Sequence, residues 1–221
     1  MIKMVKIGLL SALKRELPEV IPYGKSKYVQ TYNIGDYDIG VLLSGIGQKR
    51  AEKATERLCR EFNPYYLIFL GFCGCVDAEL NIGTLLVADT IHYNGKKESL
   101  EGLELEHVKR CLTDSSIDYR VGEFQTFDRP VLSKGEVLEG VLGVDMEAYA
   151  IVRKAKEYDT PPIIIKSVSD ILPEEKHLIF PTIRLVYRIF RNFKTAKKGL
   201  NDFGQNYFKS QIPWILYNVL Y

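Results

Sequence analysis

Short, almost uninterrupted apolar runs recur along the chain, and segments with helical spacing lie between them. The runs at residues 5–10, 65–70, 84–91 and 163–168 are typical, in length and composition, of strands that are buried on both faces. Residues 48–62 instead place apolar side chains at the 3.6-residue period of a helix. Strands that alternate with helices in this way predict an α/β fold, arranged as a three-layer α/β/α sandwich.

Two β-rich segments, 28–34 and 37–43, flank the turn signal Gly35-Asp36. This pattern predicts a hairpin, whose strands are antiparallel, so we expect a mixed central sheet. No internal repeat, linker or low-complexity segment interrupts the pattern. We therefore predict a single domain over residues 1–221.

Three local patterns give further predictions. Residues 13–21 have apolar side chains at helical spacing, which predicts a helix ending before Pro22. The strand at 65–70 is expected to end at Gly71, because glycine often punctuates a strand. Residues 92–102 are polar and contain glycine, so they are predicted to form a loop.

The carboxyl-terminal quarter is basic and aromatic. Between Lys176 and Lys209 there are eight basic residues and one acidic residue, and eight minus one gives a local charge of +7. From about residue 178 the spacing predicts a helical segment with an arginine face and an aromatic face. Such a segment suits weak peripheral contact with an anionic membrane. The alternative is a solvated helix that covers the sheet, followed by a terminal segment packed in a dimer interface.

Composition narrows the class of protein. The chain has 30 basic and 28 acidic residues among 221, and 46% of its residues are hydrophobic, which excludes a disordered protein and an overall polycationic nucleic-acid coat. Its four cysteines are too few and too irregularly spaced for a disulfide-stapled secreted fold. No apolar run reaches the ~18 residues that a membrane span requires, and the amino end lacks a signal-peptide layout. We therefore expect a cytoplasmic protein that does not bind nucleic acid.

Glycines and carboxylates follow several predicted strands. Two strand ends run into glycine-containing corners, residues 44–47 and 71–74, where backbone amides are accessible to ligands. Neither corner matches a P-loop or a dinucleotide-binding motif, so each is also compatible with tight-turn packing. Glu16, Glu147 and Asp170 follow three different strands. Each alone could be an acid at a helix amino terminus, but together they are expected to surround one pocket at one rim of the sheet.

These motifs occur in an order that resembles the nucleoside phosphorylase and nucleosidase superfamily, most of all the methylthioadenosine/S-adenosylhomocysteine nucleosidases. The resemblance covers residues 5–172, and its motifs are VKIGLLSALKRE at 5–16, SGIG at 44–47, GFCGCVDAELNIGTLLVAD at 71–89, VDMEAYA at 144–150 and SVSD at 167–170. It implies an enzyme that cleaves the N-glycosidic bond of a purine nucleoside or 5′-modified adenosine and releases the free base. It also implies that no cofactor is needed and that the protein is a homodimer or larger homo-oligomer.

The resemblance also implies roles for individual residues. Glu147, with the backbone of Met146, would bind the ribose 2′- and 3′-hydroxyls, and Gly74 would let the backbone line the base pocket. Asp170 would donate a proton to N7 of the purine, and Glu16 would orient or deprotonate the attacking water. This pair needs different environments: Asp170 must be protonated near neutral pH, which burial favours, whereas Glu16 is expected to stay ionised.

Three more residues complete the expected substrate-binding set. Ser169 precedes the proposed acid, Cys73 lies in the second glycine corner, and Val131 ends the segment 126–131 that best matches the family's base pocket. Cys73 and Cys75 have no second pair of ligands nearby in the sequence, so no metal site is expected.

One departure from the family pattern concerns the acceptor of the sugar. Phosphorylases of this superfamily place Ser or Thr after the first glycine of the second corner, where it helps to hold phosphate, but this chain has Phe72. This favours water as the acceptor and leaves a purine nucleoside phosphorylase as the alternative. That alternative includes the hopanoid-associated branch, which is thought to act on an adenosyl-lipid, and the 5′-substituent stays open. A nucleoside-binding module without catalysis is disfavoured, because Glu16, Glu147 and Asp170 are all present.

Overall fold

The computed structural model describes residues 5–24, 26–174 and 181–209. These residues form nine strands and four α-helices. In chain order the elements are β1 (Val5–Ser11), β2 (Gln30–Ile34), β3 (Tyr37–Leu43), α1 (Gln48–Phe62), β4 (Tyr66–Cys75), β5 (Leu85–Tyr93), β6 (Lys96–Ser99), α2 (Leu103–Asp114), β7 (Tyr119–Thr126), β8 (Val141–Asp145), α3 (Ala148–Lys156), β9 (Pro162–Ile171) and α4 (Pro181–Lys209).

The strands form one mixed sheet, as the sequence predicts. β1 lies between β3 and β4 and is parallel to both, while β2 and β3 form the predicted antiparallel hairpin. Beyond β4, the pairings β4–β8, β8–β7, β7–β5, β5–β9 and β9–β4 close on themselves. The second half of the sheet is therefore rolled into a ring, which brings the carboxyl ends of β4 and β9 and the end of β8 together.

Helices cover both faces of the sheet. On one face α1 packs against α3, and Leu58 of α1 lies so close to Gly8 of β1 that a methyl group there would be 3.1 Å from it. On the other face α4 packs beside α2, and the hydroxyl of Tyr207 in α4 is 2.6 Å from that of Tyr66 in β4. This arrangement confirms the predicted α/β/α sandwich.

The predicted helix at 13–21 is wrong. Only a single 3-10 turn, Lys14–Glu16, forms there, and Leu17 is extended with ψ 136°. The reason is Pro18, which lacks an amide proton and disfavours helical geometry for the residue before it. The short turn matters for the site because it ends on a buried Glu16.

Two predicted chain breaks are also wrong. β4 does not stop at Gly71 but continues to Cys75, since its end pairs with β9 on one side and β8 on the other. The predicted loop at 92–102 holds the end of β5, the strand β6 and a tight turn between them. Asn94 and Gly95 form this turn with φ of 48° and 74°, as a two-residue hairpin turn of the Asn-Gly type requires.

The carboxyl-terminal helix covers the sheet. Helix α4 begins at Pro181, and its second half buries an apolar face made of Ala196, Leu200, Phe203, Tyr207 and Phe208. The arginine and aromatic faces predicted around 180–190 lie outside the described side chains, and the apolar end at 212–221 lies outside the described residues. Within the described part of the chain, no helix has the length and apolar character that crossing a membrane would require.

The contact between α1 and the sheet predicts a stability effect. A Gly40→Ala substitution would place a methyl group 2.5 Å from the buried ring of Phe62. We expect it to lower the free energy of unfolding by about 1–3 kcal/mol, because the packed helix must shift to relieve the clash. Urea denaturation measures this. The control is Gly135→Ala, which meets no atom within 4 Å and should change stability by less than about 0.5 kcal/mol. Equal effects from both substitutions would contradict the packing described.

Candidate active site

A cavity of about 330 Å³ opens at the carboxyl ends of β1, β4, β8 and β9. Its size is within the range of small-molecule sites in proteins. Both residues predicted to be catalytic, Glu16 and Asp170, line it. So do all the predicted substrate-binding residues, which are Glu147, Met146, Gly74, Cys73, Val131 and Ser169. Residues that are far apart in the sequence thus meet at one opening.

The pairing of β4 explains this convergence. Gly74 is paired with Val144 of β8 on one side and with Asp170 of β9 on the other. The β4–β9 register shifts between Cys73 and Gly74, so Ser169 is left out of the ladder as a bulge. Its hydroxyl donates to the carbonyl of Cys73 at 3.1 Å and lies 3.2 Å from Oδ1 of Asp170.

Asp170 lines the cavity and is buried, with 3% of its surface exposed. The neighbouring bulge is held from the other layer, where Asn192 of α4 donates to the carbonyl of Ser169 at 3.0 Å. Helix α4 therefore fixes the strand end that presents the proposed acid.

Glu16 is held by two backbone amides. Its Oε2 accepts from Leu13 N–H at 2.7 Å and its Oε1 accepts from Phe72 N–H at 3.3 Å. Burial raises the pKa of Glu16 above its usual value, and the Lys166 ammonium and the two amides oppose that rise. We expected Glu16 to be fully ionised, but the raised pKa brings this acid closer to the neutral range in which a general base works best.

Glu147 directly precedes helix α3 and contacts the first glycine corner. Its Oε1 accepts from Gly47 N–H at 2.8 Å, and its Oε2 is 3.9 Å from Nζ of Lys166. Burial raises the pKa of Glu147 to about 7, although the Lys166 ammonium and the Gly47 amide both lower it. The first glycine corner thus binds a carboxylate of the protein itself.

Lys166 is a central residue of the site that was not predicted from the sequence. It lies in the apolar run of β9, it is 1% exposed, and its Nζ is 3.1 Å from Oδ2 of Asp145 and 3.8 Å from the centre of the Phe69 ring. The available signal is a single lysine inside an otherwise apolar strand, since a buried ammonium requires a buried acid as partner. The partner, Asp145, also accepts from Ala148 N–H at 2.9 Å at the start of α3.

Three further segments line the cavity. Phe72 packs its ring against Phe193 of α4 at 5.5 Å, nearly at right angles. Arg129 and Pro130 also line the cavity. The adjacent Asp128 accepts from Gln48 Nε2 at 2.7 Å and from Tyr93 OH at 3.0 Å, and these bonds connect this segment to α1 and β5. Ile46, which is 49% exposed, also lines the cavity.

Among residues 5–24, 26–174 and 181–209, no group of three or more histidine, cysteine or acidic side chains is arranged to hold a metal ion. All four cysteines are free thiols, and burial raises the pKa of the Cys73 thiol well above its usual value. Cys73 therefore contributes a small apolar surface to the cavity.

Comparison with known proteins gives consistent matches. A model of the phosphorylase superfamily matches residues 6–183. The chain is 24% identical to the 5′-methylthioadenosine/S-adenosylhomocysteine nucleosidase of Desulfotalea psychrophila over 204 residues, which cover 78% of this chain and 87% of that protein.

Two solved structures are also similar. One is the 5′-methylthioadenosine/S-adenosylhomocysteine nucleosidase of Neisseria meningitidis in complex with methylthio-immucillin-A, with a TM-score of 0.77, 23% identity and coverage of 93% of this chain and 99% of that chain. The other is futalosine hydrolase of Helicobacter pylori, with a TM-score of 0.71, 18% identity and coverage of 90% and 97%. At these identities the similarity confirms the predicted fold.

The raised pKa of Glu147 predicts how stability depends on pH. The folded protein keeps a proton on Glu147 up to a pH of about 7, whereas the unfolded chain releases it near its ordinary pKa of 4.5. The folded state thus binds more protons inside this window, so the free energy of unfolding falls as pH rises through it. A Glu147→Gln variant has no proton to lose. Its stability relative to the wild type should therefore rise by up to about 3 kcal/mol between pH 5 and pH 8.

Urea denaturation at several pH values measures this difference. The matched control is Glu101→Gln, at an exposed glutamate outside the cavity, which should show no comparable trend. A constant difference between the Glu147→Gln variant and the wild type over the same range would contradict the environment described for Glu147.

Proposed function

Since this chain belongs to the phosphorylase superfamily, we propose that it is an N-ribosyl hydrolase acting on a purine nucleoside or a 5′-modified adenosine. The reaction cleaves the bond between C1′ and N9 and releases the free base. The main support is that Glu16, Glu147 and Asp170, which lie near the carboxyl ends of three different strands, line one cavity. Glycosidic cleavage requires an acid on one side of the sugar and a water-activating group on the other, and Asp170 and Glu16 are the residues that we propose for these two roles.

Asp170 is the proposed general acid. As the C1′–N9 bond breaks, its electron pair passes into the purine, and the carboxylic acid of Asp170 donates its proton to N7. The base then leaves as a neutral molecule. The position of Asp170 in the wall of the cavity, with 3% of its surface exposed, supports this role.

Glu147 is the proposed ribose ligand. Its ionised carboxylate has two oxygens that can accept hydrogen bonds from the adjacent 2′- and 3′-hydroxyls. The Gly47 amide at 2.8 Å fixes the orientation of this carboxylate. Met146, next to it in the cavity, is proposed to contribute through its backbone.

Glu16 is the proposed base. It accepts a proton from the water that attacks C1′, at which the departing base leaves positive charge. Its two amide contacts fix the orientation of the carboxylate. Its raised pKa lies closer to neutral pH, where a general base accepts a proton from water most effectively. We propose that Gly74, Cys73, Val131 and Ser169 line the side of the cavity that receives the base.

Water is favoured over phosphate for a physical reason. The amides of Phe72 and Gly47, which lie in the two glycine corners, already bind the carboxylates of Glu16 and Glu147. An inorganic phosphate would have to displace one of these carboxylates and share the cavity with the other. The ring of Phe72 also lines this site and provides no hydrogen-bond donor.

The alternative is phosphorolysis, and it has one observation in its favour. Arg15 and Arg129 line the cavity and are cations of the kind that bind phosphate. Arg129 is, however, paired with Glu136 at 2.5 Å, and the Arg15 guanidinium lies over the Phe193 ring at 5.2 Å. These contacts make both arginines less suited to an incoming anion.

We also propose that the protein acts in the cytoplasm as a homodimer or larger homo-oligomer. Its free thiols are consistent with a reducing compartment. A second copy placed over the mouth of the cavity would bury the half-exposed Ile46, which lines it. Weak contact of the basic carboxyl-terminal helix with an anionic membrane remains a proposal, which liposome co-sedimentation at low salt can test.

The acid role of Asp170 predicts a large kinetic effect. Asp170→Asn should lower kcat by about 10²–10⁴-fold, because the amide has no acidic proton to donate. Release of free base from adenosine, inosine, methylthioadenosine and S-adenosylhomocysteine measures this. The control is Asp114→Asn, at an exposed residue at the end of α2, which should leave turnover unchanged. Full activity of Asp170→Asn would refute the acid role.

If water accepts the ribosyl group, the rate of base release should not depend on phosphate. Base release by the wild-type protein should proceed at the same rate in phosphate-free buffer and in phosphate buffer, with free ribose or the free 5′-modified sugar as the second product. Chromatography of the products decides this. Phosphate-dependent release of a sugar 1-phosphate would establish the phosphorylase alternative.

A further inference from the structure

Lys166 and Asp145 form a buried ion pair beside the cavity, and none of the roles proposed above uses them. The side chain of Lys166 is 2% exposed and that of Asp145 is fully buried. The space for the ammonium is provided by Gly71, where a methyl group would lie 2.9 Å from Nζ. Because removing an ammonium and a carboxylate from water costs several kcal/mol for each ion, such a pair persists only where other contacts compensate for the cost.

Asp145 is held in place independently of Lys166. Its Oδ1 accepts from the hydroxyl of Thr126 at 2.7 Å, and its Oδ2 accepts from Ala148 N–H at 2.9 Å. The same Thr126 hydroxyl accepts from Tyr149 N–H at 3.1 Å. These bonds hold Asp145 as an acceptor, which is the role of the ionised form.

The ammonium of Lys166 is shared unequally between two carboxylates. Nζ is 3.1 Å from Asp145 and 3.9 Å from Glu147. Four groups act on Glu147: Lys166 of β9, Asp145 of β8, Glu16 after β1, and the Gly47 amide at the start of α1. Lys166 and the amide favour the ionised form of Glu147, whereas Asp145 and Glu16 favour its protonated form.

We infer that Lys166 and Asp145 are positioning residues that together set the charge of Glu147, the proposed ribose ligand. Lys166 favours the ionised form of Glu147, which can accept hydrogen bonds from the ribose hydroxyls. Asp145 draws the ammonium away and so keeps Glu147 able to gain a proton near neutral pH. The kinetic part of this inference rests on the proposed function; the electrostatic part does not.

The inference predicts shifts of opposite sign from two substitutions. Lys166→Met removes the nearby positive charge, so Glu147 should retain its proton to a higher pH. Asp145→Asn removes a negative charge that repels ionised Glu147 and competes with it for the Lys166 ammonium. The midpoint of the Glu147 titration should therefore move to a lower pH. Lys166→Arg keeps the charge and should restore the wild-type midpoint most of the way.

Carbon-13 NMR of protein labelled at its glutamate carboxyl groups measures the titration without any ligand. The Glu147 signal is assigned by its loss in a Glu147→Gln sample. We expect the midpoint to move by about one pH unit or more in each direction, which corresponds to about a tenfold change in the ionised fraction on the acid side. Lys109→Met, at a lysine paired with Glu106 on α2, is the matched control and should not move the midpoint.

The kinetic counterpart is the pH profile of kcat/KM for the nucleoside that the wild type hydrolyses. The acid limb of this profile should move to higher pH in Lys166→Met and to lower pH in Asp145→Asn. Most of the change in kcat/KM should come from KM. If the acid limb stays at the same pH in both variants while activity falls equally at every pH, the role of the two residues is purely structural and the inference is overturned. NMR midpoints that move in the same direction in both variants would also overturn it.

The two proposals fail in different ways. If the wild type releases no base from any nucleoside, the proposed function fails, while the ligand-free NMR titration still decides the electrostatic part. If Lys166→Met does not fold, Asp145→Asn still tests the direction in which the Glu147 midpoint moves. Lys166→Arg still tests whether a retained positive charge keeps that midpoint near its wild-type value. An unchanged midpoint in Asp145→Asn would then overturn the inference.

Discussion

The site depends on the carboxyl end of β4, which forms backbone pairs with two other strands, β8 and β9. At Gly74, β4 pairs with β8 and β9 at the same residue, so Val144 and Asp170 become neighbours across a single glycine. A methyl group at this position would lie 2.9 Å from Val144, which leaves room for glycine only. Because β8 leads directly into Met146 and Glu147, this pairing also fixes the distance between the proposed ribose ligand and the proposed acid.

A second constraint is electrostatic. Three buried carboxylates, Glu16, Asp145 and Glu147, lie around one buried ammonium, Lys166, and all three raise its pKa against the effect of burial. One cation cannot neutralise three anions, so this part of the site favours partial protonation. Around Lys166 the carboxylates outnumber the ammonium, so this part of the cavity suits a neutral nucleoside and a water molecule better than it suits inorganic phosphate.

The sequence predicts the architecture well where periodicity is the deciding factor. The hairpin around Gly35, the helix at Gln48–Phe62 and the alternating order of strands and helices follow from local patterns and are confirmed. It fails where a tertiary contact or a single residue decides, as at Pro18, at the end of β4 beyond Gly71, and in the Asn94-Gly95 turn. That turn carries a signal that could have been used, whereas the extension of β4 depends on strand partners that are distant in the sequence.

The residues of the cavity were likewise predictable only in part from the sequence. The motifs identify residues that follow strand ends, and the sheet brings those residues together, so the location of Glu16, Glu147 and Asp170 could be anticipated. Lys166 could not, since a lone lysine within a run of isoleucines shows neither which face of the strand it occupies nor which acid it meets. Its partners depend on the rolled half of the sheet, in which β9 closes against both β4 and β5.

The most direct test of the central claim is a crystal structure of the protein with a non-hydrolysable adenosine analogue. We expect the ribose 2′- and 3′-hydroxyls to lie within hydrogen-bond distance of the Glu147 carboxylate and N7 of the base to face Asp170. An analogue bound elsewhere, or bound in this cavity with its ribose away from Glu147 and its base away from Asp170, would contradict it.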